Sequence, residues 1–425
     1  MKIVLVGNGG REHALAWKLA QSERVSEIVA VPGRYGMHEV AEYLPLDWNS
    51  TAELADIITM QAPDLVVVGS EGPLADGIVD VLTKREILVF GPTQAAARIE
   101  SSKVFAKDLF ARYHIPTAAY GSFTDADKAI AFLDEMQAPY VIKADGLAAG
   151  KGVVIAETHE DAVEAIRSML TGDAFGSAGE KIIIEEFMVG EEASLLAFVD
   201  GETVIPMIPA QDHKRLLTDD RGPNTGGMGA FAPAAVVTDA VYEAAVEQIL
   251  KPTAAALVAE GSPFRGVLYA GLMITADGPK VVEFNCRFGD PETQVLLPLL
   301  DSDLADIMEK ICTGHIDQVR LRWLDAHAVC VVAASFGYPR KTYRGDRITG
   351  LAEAVARDAL VFHAGTRHID DAYFTDGGRV LNVVAVRPSL AEAKEAAYQA
   401  LSEIEFDGMQ FRTDIADKEL LRATK

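Results

Sequence analysis

"GPKVVEFNCRFGDPETQ", residues 278–294, begins as a strand and then turns polar. In a strand, residues two apart share a face. Glu283, Asn285 and Arg287 are therefore expected on one face, with Val282, Phe284 and Cys286 on the other. Such a strand lays its apolar face on a core and its polar face on a cleft. A carboxylate and an amide oxygen side by side are hard ligands. They suit Mg2+, which completes its shell with water and nucleotide phosphates. The donor fork of Arg287 would hold a carboxylate or a phosphate. A structural Glu283–Arg287 ion pair, with Asn285 as a turn former, is the competing reading. In "GDPETQVLLPLL", Asp290 suits an N-cap and Pro291 a first helical position.

The chain around this stretch has 425 residues, 49% of them hydrophobic. At roughly 100–200 residues per domain it holds two to four domains. Its net charge is −24. A broad nucleic-acid face needs clustered Lys and Arg, so none is expected, and any anionic substrate must be held by local donors. Three cysteines without a CxxC pair give no disulfide framework. "MKIVLVGNGG" is too short in its apolar part for a signal peptide, and no apolar run spans a bilayer. A soluble cytoplasmic protein is expected.

The first hundred residues alternate short apolar strands with helical patterns, which implies a parallel sheet covered by helices. Single helices are expected over "PLADGIVDVLTKR" and "TQAAARIESSKVFAKDLFARYH". Strands dominate the middle region. A hairpin there, "GVLYAGLMITADGPKVVEFNCR", should turn on Asp277-Gly278. A third region of strands begins near residue 326 and ends in the helix "SLAEAKEAAYQALSEI". The fold class is thus α/β and α+β multidomain.

Two glycine turns point to phosphates. "GNGGRE" at 7–12 leaves a strand and opens a helix, aiming free N–H groups at an anion. Arg11 and His13 favour a phosphate-bearing ligand over a plain turn. The dinucleotide fingerprint fails, because Glu12 stands at a required glycine and "VPG" replaces the acid after the second strand. "KADGLAAGKGVVIAE" at 143–157 is no Walker loop, since Gly152 stands where Ser or Thr is required. It reads as a mobile flap whose backbone could wrap phosphates. Lys143, ending an apolar strand, needs an anion to offset desolvation. In "IIIEEFMVGEEAS" at 182–194, acids suit ribose hydroxyls and an adenine amino group, although a solvated acidic turn would look the same.

"KADGLAAGKGV", "EEFMVGEEAS", "QDHKR", "NTGGMGAFAP" and "EFNCRFGDPETQ", in that order, resemble the ATP-grasp superfamily. More narrowly they resemble the phosphoribosylamine–glycine ligase (glycinamide ribonucleotide synthetase) family, with "RFGDPETQVL" its signature run. "VGNGGREHALAWKL", "FGPTQAAARIESSKVFAK" and "GRVLNVVAV" extend the resemblance over essentially the whole chain. It implies a Rossmann-like N-terminal domain over 1–102 and a two-lobed ATP-grasp core over 103–325, with the flap-bearing part at about 121–192. A small C-terminal α/β domain would occupy 326–425. The implied substrates are ATP, glycine and 5-phosphoribosylamine, with Mg2+ or Mn2+ as metal, in a monomer or weak dimer that binds neither nucleic acid nor membrane.

By matching position, the resemblance implies that Lys103 and Lys143 hold ATP phosphates under a flap containing Gly146, Gly150, Lys151 and Gly152. Glu185 and the backbone near Glu186 and Met188 would meet adenine, and Glu192 the ribose. Glu283 and Asn285 would bind the metal. Asp212, Lys214 and Arg287 would place glycine and the transferring phosphate. Asn224, Gly226, Gly227, Met228, Gly229 and Asp290 would lie at the acceptor site. Asn8, Gly9, Gly10 and Arg11 would help hold phosphoribosylamine. Two departures stand out. "PGRYGMHEV" puts Arg34 where the family carries an amide, leaving that loop's role open, and "LYAGLM" lacks the acid many ATP-grasp relatives place there. Another ATP-grasp ligase of purine synthesis and a non-catalytic nucleotide sensor are the rival readings.

Overall fold

The computed structural model describes residues 1–146, 152–171 and 181–423. The strand–helix alternation at the start becomes a five-stranded parallel sheet with Lys2–Val6 at its centre. Glu27–Val31 and Glu42–Tyr43 lie to one side, Leu65–Val68 and Val89–Phe90 to the other. The three longer strands are β-branched and buried almost throughout, as in a sheet covered on both faces.

Both of the single helices expected here are broken. Glu71–Ala75 and Ile78–Lys84 are parted by Gly77 in the left-handed region at φ +81°. Gln94–Ser101 and Lys103–Tyr113 are parted by Ser102. Its backbone is extended at φ −136°, and its hydroxyl accepts the Phe105 N–H at 3.2 Å. Serine is a strong N-cap, so the second helix starts afresh with Lys103 in its first position.

Two antiparallel sheets follow. One runs Tyr120–Phe123, Ile182–Glu186, Tyr140–Ala144, Val153–Ala156 in spatial order. The other runs Thr203–Pro206, Glu191–Asp200, Arg265–Thr275, Gly278–Asn285. The hairpin turns on Ala276-Asp277, one residue earlier than expected, because Thr275 pairs with Gly278. The helix over 239–259 contains one π-helical turn at Val246–Leu250, just before Pro252. Proline has no N–H to return to the preceding turn, and the wider turn accommodates that gap.

A five-stranded sheet joins chain segments from either side of residue 326. Its order is Gln211–Asp212, Gly229–Ala232, His327–Ala334, Arg379–Arg387, Leu360–His363. The helix Thr293–Leu299 is buried at every position and packs between this sheet and the N-terminal helix Gly10–Leu19. The loop after the first parallel strand, the turn after Asn285 and the start of the last long strand thereby meet, with Gly9 near Asp290 and Asp290 paired with Arg379. No helix among the described residues is long and apolar enough to cross a membrane.

Candidate active site

The strand Gly278–Asn285 carries a β-bulge. Gly271 pairs with Glu283 and Leu272 with Val281, so Val282 has no partner. Strict alternation therefore fails at one place. Val281, not Val282, joins Phe284 and Cys286 in the core, while Val282 is half-buried. The polar set Glu283, Asn285 and Arg287 keeps its common face. Cys286 is buried, and its thiol is pushed well up by burial and by Glu100.

Among the described residues, no hydrogen bond or ion pair engages the Glu283 carboxylate. Burial pushes its pKa up, but Lys214, Lys143, Lys103 and Arg287 outweigh that and hold it below the usual value. The competing Glu283–Arg287 ion pair does not form. Arg287 instead lies 3.2 Å from Glu71 and 2.9 Å from Glu100, both on elements of the first hundred residues. It also donates to the Asn285 amide oxygen at 3.2 Å. Glu100 accepts the Cys286 N–H at 2.8 Å as well, fixing the backbone at this point.

Lys103 donates to the Gly146 carbonyl at 2.8 Å, at the foot of the flap. The flap's flanking strands pair, with Lys143 opposite Val153. Gly150 and Lys151 lie outside the described residues. Lys143 is buried and donates to Glu185 at 3.0 Å. A residue the sequence reading missed, Lys107, reaches the same Glu185 oxygen at 3.2 Å and donates to Thr117 at 2.7 Å. A signal was present, since Lys103 and Lys107 are four apart on one helix face. The Glu185 carboxylate, expected at adenine, is thus taken up by two lysines. Glu186 itself accepts the Ala119 N–H at 3.1 Å.

Lys214 pairs with Glu192 at 2.9 Å, so the acid expected at the ribose meets a lysine here. Burial would lower the pKa of Lys214, but Glu192, Asp212 and Glu283 hold it well above the usual value. Asp212 is pushed up to about 8 by burial, against the pull of Lys214 and with Glu292 and Glu192 adding to the rise. Glu292 was also missed. It is buried and accepts hydrogen bonds from the Tyr269 hydroxyl and, at 3.1 Å, from Ser194.

The residues expected at the acceptor site are brought together less by side chain than by backbone. Asp290 and Pro291 do not cap the following helix, which starts at Thr293 after a cis Asp290–Pro291 bond. The Asp290 carboxylate turns elsewhere, to Gln294 at 2.8 Å and Arg379 at 3.2 Å. Gly227, at φ +111°, lies so close that a Cβ would stand 2.5 Å from Pro291 Cδ. A Cβ on Gly9 would lie 3.7 Å from Asp290, and one on Gly10 2.2 Å from Asn382. Asn8 is half-buried beside them. Met228 is fully buried, Gly229 pairs with Val331 in a strand, and Asn224 pairs with Arg215.

Arg11 and His13 do not serve as free cations. Arg11 is buried, bonded to Glu12 at 2.7 Å and to the Phe288 carbonyl at 3.1 Å. His13 accepts the His363 N–H at 2.9 Å, and burial pushes its pKa down to about 3, so it is neutral. Glu12 takes the Gly9 N–H at 2.7 Å and fills the space over Gly7 and Gly69. The helix start is therefore capped by the chain's own carboxylate, which accounts for the broken dinucleotide fingerprint.

Family models of phosphoribosylglycinamide synthetase match the chain in sequence: its N domain over residues 1–100, its ATP-grasp (A) domain over 101–293 and its C domain over 328–418. The chain belongs to the phosphoribosylglycinamide synthetase family. A phosphoribosylamine–glycine ligase of Neisseria meningitidis is 50% identical over 424 residues, covering 99% of this chain and all of the relative. One from Vibrio parahaemolyticus is 46% identical over 425 residues, 99% of each chain. The crystal structure of phosphoribosylamine–glycine ligase from Thermotoga maritima superposes with a TM-score of 0.87 at 32% identity, covering 98% of this chain and 100% of that one. Residues matched by all three family models meet at Asp290: Gly9 from the N domain approaches it, and Arg379 from the C domain pairs with it.

Proposed function

We infer that this chain is an ATP-dependent ligase that joins glycine to 5-phosphoribosylamine in de novo purine biosynthesis. Its products are glycinamide ribonucleotide, ADP and phosphate. The choice of glycine and phosphoribosylamine rests on the relatives' names. The chemistry rests on one observation: among the described residues the Glu283 carboxylate has no hydrogen bond or ion pair, yet Lys103, Lys143, Lys214 and Arg287 act on it. A carboxylate left unpaired beside cations suits a metal–nucleotide complex, whose phosphates complement the lysines.

Glu283 and Asn285 offer the hard oxygens that Mg2+ or Mn2+ takes alongside phosphate and water. Such an ion would neutralise charge on the phosphates. Lys103 and Lys143 would hold the phosphate chain beneath the flap. A glycine carboxylate oxygen attacks the γ-phosphorus as the bond to ADP breaks, giving glycyl phosphate. The amine of phosphoribosylamine then attacks the carbonyl carbon, phosphate leaves, and the nitrogen gives up a proton. Both steps need placement and charge neutralisation more than a protein nucleophile. Asp212 and Lys214 would orient glycine, with Arg287 on the transferring phosphate. The buried, neutral Cys286 has no part in it.

The test is ADP release from Mg2+-ATP and phosphoribosylamine with glycine, bicarbonate or other amino acids. Glycine-dependent release is expected. Release without glycine would overturn the reading.

A further inference from the structure

The peptide groups of Gly226 are held from the C-terminal region on both sides. Its N–H donates to the Tyr338 hydroxyl at 2.9 Å, and its carbonyl accepts from Arg379 Nη1 at 2.6 Å. The same Arg379 nitrogen donates to the Asp290 carbonyl at 2.8 Å, while Nη2 lies 3.2 Å from Asp290 Oδ2. One guanidinium thus joins the loop at 224–229 to the turn at 289–291. Gly227 against Pro291 closes the same seam. Three acceptors in a fixed planar fork are a geometry that a lysine ammonium cannot reproduce. No hydrogen bond or ion pair of Arg379 among the described residues involves Lys103, Lys143 or Glu283, which stand on other elements.

We propose that Arg379 is a positioning residue for the acceptor half of the reaction, fixing the wall of the phosphoribosylamine site that Gly226, Gly227 and Asp290 form. The inference rests on the ligase reading above. With that wall loosened, glycyl phosphate still forms, but the amine meets it poorly and water competes for the carbonyl carbon. Water then releases glycine and phosphate, so ADP accumulates without product.

The full-length Arg379→Lys variant tests this. The KM for phosphoribosylamine should rise about tenfold or more, with KM for ATP and glycine within about twofold of the parent. The ratio of ADP to glycinamide ribonucleotide should rise above one. Equal losses against all three substrates, or an unchanged ratio, would overturn the inference while leaving glycine-dependent ligase activity in the parent intact. Parent enzyme that releases ADP without glycine would overturn the ligase reading, and this inference with it. Should Arg379→Lys fail to fold, Tyr338→Phe removes only the hydroxyl that receives the Gly226 N–H. It should shift the same two quantities in the same direction by a smaller factor, and no shift would count against the proposal.

Discussion

Lys143 and Lys107 place their ammonium groups 3.0 and 3.2 Å from a single oxygen of Glu185. All three side chains are buried, so two cations share one anion away from water. Burial lowers the Lys107 pKa from 10.5 to about 8 even though Glu185 opposes the shift. Below pH 8 both the folded and the unfolded chain carry this proton, and the desolvation penalty is fully present. Between about pH 8 and 10.5 the unfolded chain binds more protons, so this group makes stability rise with pH. The rise is on the order of 3 kcal/mol. Lys107→Met should flatten it, which chemical denaturation at pH 7, 9 and 10.5 would measure. The variant should be no less stable than the parent at pH 7, because Glu185 keeps Lys143. Its ATP affinity should fall, since a buried positive charge beside Lys143, proposed to hold ATP phosphates, is gone.

Glu283→Gln should abolish most turnover, by at least about a hundredfold, and should weaken the dependence of rate on divalent metal. The four surrounding cations lose a carboxylate whose low pKa they jointly enforce. Metal-free nucleotide binding should therefore be retained or tightened. Titration of ATP with and without Mg2+ measures both effects. Full turnover at limiting Mg2+ would remove Glu283 from the metal site.

What could be read from the sequence was what lies within a few residues. The parallel sheet follows from alternating apolar runs, and the shared face of Glu283, Asn285 and Arg287 from period two. The bulge at Val282 was hidden, because it depends on how the strand at Arg265–Thr275 pairs. The partners of Arg287 were hidden for the same reason. Glu71 and Glu100 lie in separate short helices that only the tertiary fold brings to the arginine. Asp290-Pro291 had the local chemistry of a helix cap, and a long-range partner, Arg379, overrode it.

The divergent loop after the second strand is a docking device. Arg34 lies 3.1 Å from Asp376 and donates to the Thr366 carbonyl at 3.3 Å, and Tyr35 stacks on His368 with ring centroids 3.8 Å apart. Both members of the ion pair are partly exposed, which limits it to about 1 kcal/mol or less. Arg34→Ala should lower the Tm by only a few degrees and leave KM for all three substrates unchanged. A selective rise in KM for phosphoribosylamine would place the loop at the substrate.

Glu100 connects the first region to the end of the strand Gly278–Asn285. One of its oxygens lies 2.9 Å from Arg287 and the other accepts the Cys286 N–H at 2.8 Å. Glu100→Gln keeps the shape and one acceptor but removes the charge. Arg287 would then rely on Glu71, which is half-exposed, and its fork would be free to swing. Phosphoryl transfer depends on fixed charge at the transferring group, and misplacement by about 1 Å costs on the order of a hundredfold. The expected result is kcat lowered by about ten- to a hundredfold with a much smaller change in KM for ATP, because Lys143 and Lys103, the lysines proposed to hold phosphate, keep their own contacts to Glu185 and Gly146. Glu100→Ala should cost stability as well, leaving the Cys286 N–H and part of Arg287 unsatisfied at about 1–3 kcal/mol. Steady-state kinetics alongside denaturation of both variants separates the two effects. A Glu100→Gln enzyme that keeps parental kcat would mean that Glu71 and Asn285 suffice to aim Arg287.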